Sequence, residues 1–266
     1  MEPIKVAAVQ LYPERRAEDT AGKHLRFLRQ AAEAGAALVV FPECSLTGYA
    51  ADAGVLRPLS ASDELIRALE AESDRLGTAV CFGFIERDEP RPHITQELYF
   101  RGGRALYRKT HLGTREEAAF APGDAFPVLA APRPAGMQLC WETHIPEISA
   151  ALRRQGAELL LTSYASGMSG EKCRDNWAVQ LPARASDNGA FVIACNLLFP
   201  PRAGESVPRG GGIAVYDPKG GRLASYFGTE ERLLLCDLAG PLPRELPAGN
   251  MHAISYFDRV RRELFS

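Results

Sequence analysis

Val39-Val40-Phe41-Pro42-Glu43, Leu106-Tyr107-Arg108-Lys109 and Met137-Gln138-Leu139-Cys140 share one design: a strand-like run closed by a side chain that can do chemistry. Open α/β sheets place their ligand sites outside the carboxyl ends of their strands, so a carboxylate, an ammonium and a thiol positioned this way can meet. Together they would form an acyl-transfer apparatus. The carboxylate takes the thiol's proton, the thiolate attacks an acyl carbon, and the ammonium stabilises the oxyanion. Singly, each has a plainer reading. A buried cysteine is usually an inert small hydrophobe, a glutamate after Phe-Pro a turn or cap, and a lysine at a strand end a solvated charge.

The rest of the chain continues the strand and helix pattern. Residues 4–10 read as a short apolar strand, and Ala21, Leu25, Leu28, Ala31 and Ala32 fall at helical spacing before Gly35 ends the run. A buried strand over 37–41, a helix over 63–76 behind the cap candidate Ser62, and a strand over 79–85 follow. Hairpin strands are expected at 94–100 and 104–108 around Arg101-Gly102-Gly103, then a Gly- and Pro-rich loop over 110–134. The second half predicts a strand over 137–141, a helix over 146–155 started by Pro146, a strand over 158–162 and a helix over 172–187. Strands over 190–195, 212–216, 222–227 and 232–237 precede a polar tail, and 196–209 reads as a surface loop. Alternating helices and strands early, with hairpins in the middle and at the end, predict mixed rather than purely parallel sheets. No composition shift or repeat marks a linker, so residues 1–266 read as one domain.

Composition narrows the function classes. With 266 residues, 46% hydrophobic and 24% charged, one α/β domain can bury roughly three quarters of its unfolded surface. A formal charge of -2 and only short basic runs, such as Arg15-Arg16 and Arg153-Arg154, give no attraction to nucleic acid or anionic lipid. The start of the chain does not read as a secretory segment, and no stretch approaches a membrane span. Six cysteines, at 44, 81, 140, 173, 195 and 236, are scattered without pattern, which predicts reduced thiols in the cytoplasm. No CxxC and no i, i+3 or i, i+4 histidine pair suggests a metal site, so neither metal nor cofactor is expected.

The three stretches, in their order, resemble the signatures of the nitrilase-like carbon–nitrogen hydrolase superfamily. The resemblance runs through Phe41-Pro42-Glu43 with Leu46-Thr47-Gly48-Tyr49, Tyr107-Arg108-Lys109-Thr110-His111-Leu112, and Cys140-Trp141-Glu142 with Pro146-Glu147. Phe120-Ala121-Pro122-Gly123, Gly156-Ala157-Glu158, Trp177, Arg184-Ala185 with Asn188, and Gly212 through Gly220 extend it over nearly the whole chain.

That resemblance implies an α/β fold, a four-layer αββα sandwich with two mixed β-sheets, and a cofactor-free cysteine hydrolase of a small amide-like substrate. Glu43 is then the base, Lys109 the oxyanion cation and Cys140 the nucleophile, on a tight turn whose helix N-terminus lowers the thiol's pKa. The backbone N–H of Trp141 is the expected partner of Lys109. A second glutamate is expected after the lysine; Glu116 and Glu117 compete, and counting back from Phe120 favours Glu116. Tyr49, His144, Tyr164 and Met168 lie near the reactive strand ends and are candidate pocket residues. Homo-oligomers, commonly dimers through the helices after Cys140 and around 172–187, are also implied.

Cys140-Trp141-Glu142 is similar to true nitrilases, while Ile145-Pro146-Glu147 and the compact length are similar to the amidase and carbamoyl-hydrolase branches, so an amide is expected before a nitrile. An acyltransferase and a silent binding protein are the alternatives of another class. Among the other thiols, Cys44 reads as structural, Cys81, Cys195 and Cys236 as core, and Cys173, between Lys172 and Arg174, as a mildly reactive surface thiol.

Overall fold

The computed structural model describes residues 3–50, 56–204, 206–240, 242, 245 and 260–264. In chain order the elements are β1 (Ile4–Gln10), α1 (Ala17–Glu33), β2 (Leu38–Val40), α2 (Glu64–Leu76), β3 (Ala79–Glu86), β4 (His93–Phe100) and β5 (Gly103–Arg108). There follow β6 (Val128–Ala130), β7 (Pro134–Leu139), a 3₁₀ turn (Cys140–His144), α3 (Pro146–Arg154), β8 (Leu159–Tyr164) and α4 (Gly170–Asn188). The last are β9 (Phe191–Asn196), β10 (Leu198–Phe199), β11 (Arg209–Gly210), β12 (Ile213–Tyr216), β13 (Arg222–Tyr226) and β14 (Arg232–Leu238). The larger part of the polar tail expected beyond 237 lies outside the described residues.

Two six-stranded mixed sheets form, in the orders β14-β1-β2-β3-β4-β5 and β13-β12-β9-β8-β7-β6. In the first, β1, β2 and β3 run parallel and the outer pairs antiparallel. In the second, β7, β8 and β9 run parallel between antiparallel neighbours. The parallel strands are apolar on both faces because both faces are covered, which is why β2, β8 and β9 are buried at every position.

Three apolar clusters define the layers. One lies between the sheets and joins Val6, Val40, Cys81 and Leu98 to Met137, Leu139, Leu161 and Ile193. A second packs α1 and α2, through Leu28, Ala31, Ile66 and Leu69, on the outer face of the first sheet. The third packs α3 and α4, through Ile148, Leu152, Trp177 and Leu181, on the outer face of the second. The result is the four-layer αββα sandwich that the resemblance implied.

Several local expectations change. The helix expected behind Ser62 is capped one residue later, where the Asp63 carboxylate accepts from the Leu65 N–H at 3.0 Å. The strand expected over 137–141 stops at Leu139, because Cys140 takes φ 43° and turns the chain into the 3₁₀ segment. β6 forms inside the expected 110–134 loop, and β10 with β11 inside the 196–209 loop; all are two or three residues long, too short for a periodic signal. Cys173 is not a surface thiol. α4 starts at Gly170 behind the Ser169 cap, which turns Cys173 inward against Trp177, and burial raises its proton affinity well above the ordinary range.

One buried polar link ties α1 to the loop after β2. His24 is fully enclosed, its ring 4.3 Å from that of Phe41, with Nδ1 2.8 Å from the Thr20 carbonyl and Nε2 2.9 Å from Ser45 Oγ. The carbonyl can only accept, so Nδ1 carries the proton and Nε2 accepts from the Ser45 hydroxyl. Burial pushes the imidazole's pKa from 6.5 down to about 4. The unfolded chain therefore takes up a proton that the folded state refuses as pH falls from 6.5 to about 4, and stability is lost across that window. We expect urea unfolding to show a loss on the order of 2 kcal/mol between pH 7 and pH 5 from this group. The loss should shrink in His24→Gln; an unchanged pH dependence in that variant would remove His24 as its source.

Candidate active site

The three strand ends meet. Glu43 sits three residues past β2, in an elbow where Cys44 takes φ 53°. The elbow rests directly on β3: a Cβ at Gly83 would stand 2.8 Å from the Pro42 carbonyl oxygen and closer still to the Cys44 nitrogen, so only glycine admits it. Lys109 follows β5, its N–H bonded to the Ile94 carbonyl and its own carbonyl accepting from Gly123 at 2.9 Å. The Pro122-Gly123 segment thus braces the lysine's backbone. Cys140 opens the 3₁₀ turn at the end of β7, in the opposite sheet.

Lys109 is buried, and its Nζ donates to Glu43 Oε1 and to Glu116 Oε1, each at 2.8 Å. Glu116 is the second glutamate that geometry selects; it also accepts from Tyr49 Oη at 3.1 Å and, at Oε2, from the Gly113 N–H at 2.7 Å. Glu117 is exposed, its carbonyl bonded by Arg91. The other Glu43 oxygen accepts from the Ala165 N–H at 2.9 Å, just past β8. The Ala165 backbone, Glu43 and Lys109 all act electrostatically on the Cys140 thiol, so thiol and carboxylate share one enclosure.

Charge in this enclosure follows from burial and neighbours. Burial pushes the Glu43 carboxyl up to about 7; Lys109 opposes the rise, and Glu116 and Glu142 add to it. Burial alone would weaken the Lys109 ammonium, yet Glu43, Cys140 and Glu116 outweigh it and hold the lysine protonated. The Cys140 thiol is pushed up to about 12 by burial first and then by Glu43, with Lys109 only partly offsetting. The expectation that a helix N-terminus lowers this pKa is therefore corrected: burial, with Glu43 behind it, outweighs a single short turn.

The candidate pocket residues divide. His144, Tyr164 and Met168 line a cavity of about 220 Å³ with Cys140, Trp177 and Gln180. Within it Tyr164 is nearly buried, its ring tilted against that of Trp177 with centroids 4.6 Å apart, and donates to Thr143 Oγ1 at 3.0 Å, whereas His144 is exposed beside Gln180. Tyr49 is not part of that cavity; its hydroxyl is committed to Glu116. The Trp141 indole is 51% exposed and 5.1 Å from the His144 ring, and its backbone N–H lies in the first turn, where the turn itself supplies no acceptor. Two groups were missed in the sequence: the Ala165 N–H, which leaves no signal in residue type, and the Glu142 side chain, quoted only as part of a triplet. Among the described residues, no group of three or more His, Cys, Asp or Glu could hold a metal ion.

The family model described as carbon-nitrogen hydrolase matches residues 5–241. The chain is 34% identical over 201 residues to an (R)-stereoselective amidase of Pseudomonas sp, covering 73% of this chain and 70% of that one. It is 28% identical over 260 residues to a bifunctional nitrilase/nitrile hydratase of Lupinus angustifolius, covering 82% and 73%. A mutant of the amidase from Nesterenkonia sp. AN1, showing covalent addition of the acetamide moiety of fluoroacetamide at the active site cysteine, aligns with a TM-score of 0.79. The identity there is 26%, over 98% of this chain and 95% of that one. Fold and relatives define a cysteine-dependent hydrolase of carbon–nitrogen bonds. The chain belongs to the carbon–nitrogen hydrolase family.

A thiol held near 12 beside a carboxyl near 7 is not a preformed thiolate at neutral pH. Alkylation of Cys140 by iodoacetamide, followed by peptide mass spectrometry, should be slow at pH 6 and still climbing above pH 8. A rate that is already flat below pH 7 would mean that the thiolate exists at rest.

Proposed function

We propose that Cys140, Glu43, Lys109 and Glu116 hydrolyse a small linear amide or carbamoyl compound to its acid and ammonia, within one domain spanning residues 1–266. The observation that carries this reading is the buried Lys109 ammonium, clamped between Glu43 and Glu116 at the strand ends that also bear Cys140. Glu43, near neutrality, takes the thiol proton as the sulfur attacks the carbonyl carbon. An ammonium has three N–H bonds; two go to carboxylates, and the third, with the Trp141 N–H, receives the oxyanion. Glu43 returns the proton to the departing ammonia, leaving a thioester on Cys140. A water activated by Glu43 then releases the acid. Glu116 keeps Lys109 aimed, and Tyr49 keeps Glu116 in place. His144 and Tyr164 line the cavity onto which Cys140 opens.

The wider reading is a cytoplasmic homodimer or higher homo-oligomer. All six cysteines are free, which suits a reducing compartment. Trp141 and Val179, 51% and 74% exposed, belong to the 3₁₀ turn and α4, elements through which the resemblance implies assembly. No helix among the described residues is long and apolar enough to cross a membrane. A nitrile is the second reading, favoured by Cys140-Trp141-Glu142 and by a nitrilase among the relatives.

Three variants test the roles. Cys140→Ala should abolish turnover and remain folded; activity equal to the parent's would sink the mechanism. Lys109→Ala should lose about 10²- to 10³-fold in kcat, the range for one oxyanion donor. It should also lower the thermal midpoint, because it strands two buried carboxylates. Glu43→Gln should match that kcat loss.

Substrate class is read from ammonia release on aliphatic amides, ω-amides of dicarboxylic acids, N-carbamoyl acids and matching nitriles. At least one amide or carbamoyl compound should outpace every nitrile, and trapped enzyme should gain an acyl mass on Cys140. Faster release from nitriles would install the second reading.

A further inference from the structure

Glu142 is wholly buried, two residues past Cys140, and belongs to none of the steps above. Its Oε2 accepts from the Leu139 N–H at 2.7 Å, at the junction of β7 and the turn that carries the thiol. Its Oε1 accepts from Tyr107 Oη at 2.6 Å, the Thr110 N–H at 2.9 Å, Thr110 Oγ1 at 2.8 Å and the His111 N–H at 3.1 Å. These donors flank Lys109 on both sides, in the opposite sheet. All five contacts aim a hydrogen at the carboxylate, which suits an acceptor-only group. The His111 ring nitrogen Nδ1 stands 4.0 Å off, on a side chain half in solvent.

Resting on the Cys140–Glu43–Lys109 reading, we propose that Glu142 is a positioning residue: one buried carboxylate pins the Cys140 turn to the Lys109 strand end and so fixes nucleophile against oxyanion cation. The two groups come from different sheets, and between their strand ends this side chain is a direct tie. No backbone ladder can do the same work, since β5 and β7 belong to separate ladders. Misplacing reacting groups by about 1 Å can cost 100-fold in rate, so such a tie bears on kcat rather than on substrate affinity. Glu142 also adds negative charge toward Glu43. The groups that interact electrostatically with Glu43 are Lys109, Glu116, Glu142, Cys140, Cys44 and Tyr49, and burial together with the two acids keeps its carboxyl near neutrality.

Geometry and charge separate in two variants. Glu142→Gln keeps the shape, but its NH₂ must face either the Leu139 N–H or the Tyr107–Thr110–His111 donors, donor against donor. Glu142→Asp keeps the charge and is one methylene too short to hold both sides. On an amide that the parent hydrolyses, both should lose about 10- to 100-fold in kcat with KM changed only a few-fold. The acid limb of kcat/KM should move to lower pH in Glu142→Gln and stay near the parent's in Glu142→Asp. Tyr107→Phe and Thr110→Ala, which leave the carboxylate and remove single donors, should each lower kcat several-fold.

Parent kcat in Glu142→Gln overturns the proposal. So does a loss that merely tracks a lower folded fraction while the pH profile stays put. Should Glu142→Gln fail to fold, parent kcat in both Tyr107→Phe and Thr110→Ala overturns it equally. Cys140→Ala is run alongside: if it is inactive while the Glu142 variants behave as the parent, only the positioning role falls; if it is active, the underlying reading falls with it.

Discussion

A lysine ammonium almost shut off from water, gripped by two carboxylates, is the interaction on which the site depends. Burial alone would weaken the Lys109 charge, which Glu43, Cys140 and Glu116 restore, and Lys109 in turn opposes the rise that burial imposes on Glu43. One cation against two acids, with Glu142 as a third nearby, leaves the enclosure short of positive charge. Burial first, and that shortage after it, lifts Glu43 toward neutrality and keeps the neighbouring thiol protonated. The site is thereby set for general-base chemistry, in which thiol and carboxylate exchange a proton as the bond forms, and not for a standing thiolate.

The scaffold must hold this enclosure across a seam. Glu43 and Lys109 belong to one sheet; Cys140 and the Ala165 N–H belong to the other. A slide of one sheet over the other would part base from nucleophile, and an apolar interlayer by itself resists sliding weakly because hydrophobic contact is not directional. Polar bridges supply the direction. Gln96 Nε2 donates to the Phe41 carbonyl at 3.0 Å and reaches Ser163 Oγ at 3.1 Å, and Ser163 Oγ in turn donates to the same carbonyl at 3.0 Å. The shared carbonyl lies two residues before Glu43, so the register between sheets is fixed close to the base. These bonds lie in a dry interior, where such bonds are strong.

How much of this could be read in residue order follows from what each feature needs. Long strands and helices declared themselves by period, as β3, β8 and α2 do. Glu43, Lys109 and Cys140 declared themselves by their position at strand ends together with the family resemblance. The choice of Glu116 over Glu117 came from counting residues, and geometry agrees because only Glu116 turns toward Lys109. What stayed hidden depends on the third dimension. β6 and the β10–β11 pair are too short to have a period. The lysine and arginine flanking Cys173 suggested a surface, but on a helix adjacent residues point about 100° apart, and the cysteine takes the inward direction. Tyr49 reads as a pocket wall until the partner of its hydroxyl is known. The direction of the thiol's pKa reads the wrong way in the sequence, since it is set by burial and by ionisable groups that only folding brings together.

The two non-glycine residues with φ near 50° in this region, Cys44 and Cys140, close the two facing strand ends of the site. For a residue with a Cβ this conformation is strained, on the order of 1 kcal/mol, and it persists only where surroundings over-determine it. Here they do. The Cys44 elbow is seated on Gly83 and fastened by the Gly48 N–H to the Cys44 carbonyl, and the Cys140 turn is fastened by Glu142 and by Thr143 against the Cys140 carbonyl. Both elbows end a strand abruptly, but only at the second is the strained side chain, Cys140, left partly open; Cys44 is fully buried. An ordinary strand continuation would carry Cys140 onto one face of the sheet, among the apolar residues, where a thiol is inert. The strain is thus the local cost of exposing a nucleophile at the seam. A thiol kept protonated at rest makes that exposure tolerable, because oxidants and alkylating agents react with the thiolate, and here the thiolate forms only as Glu43 takes the proton.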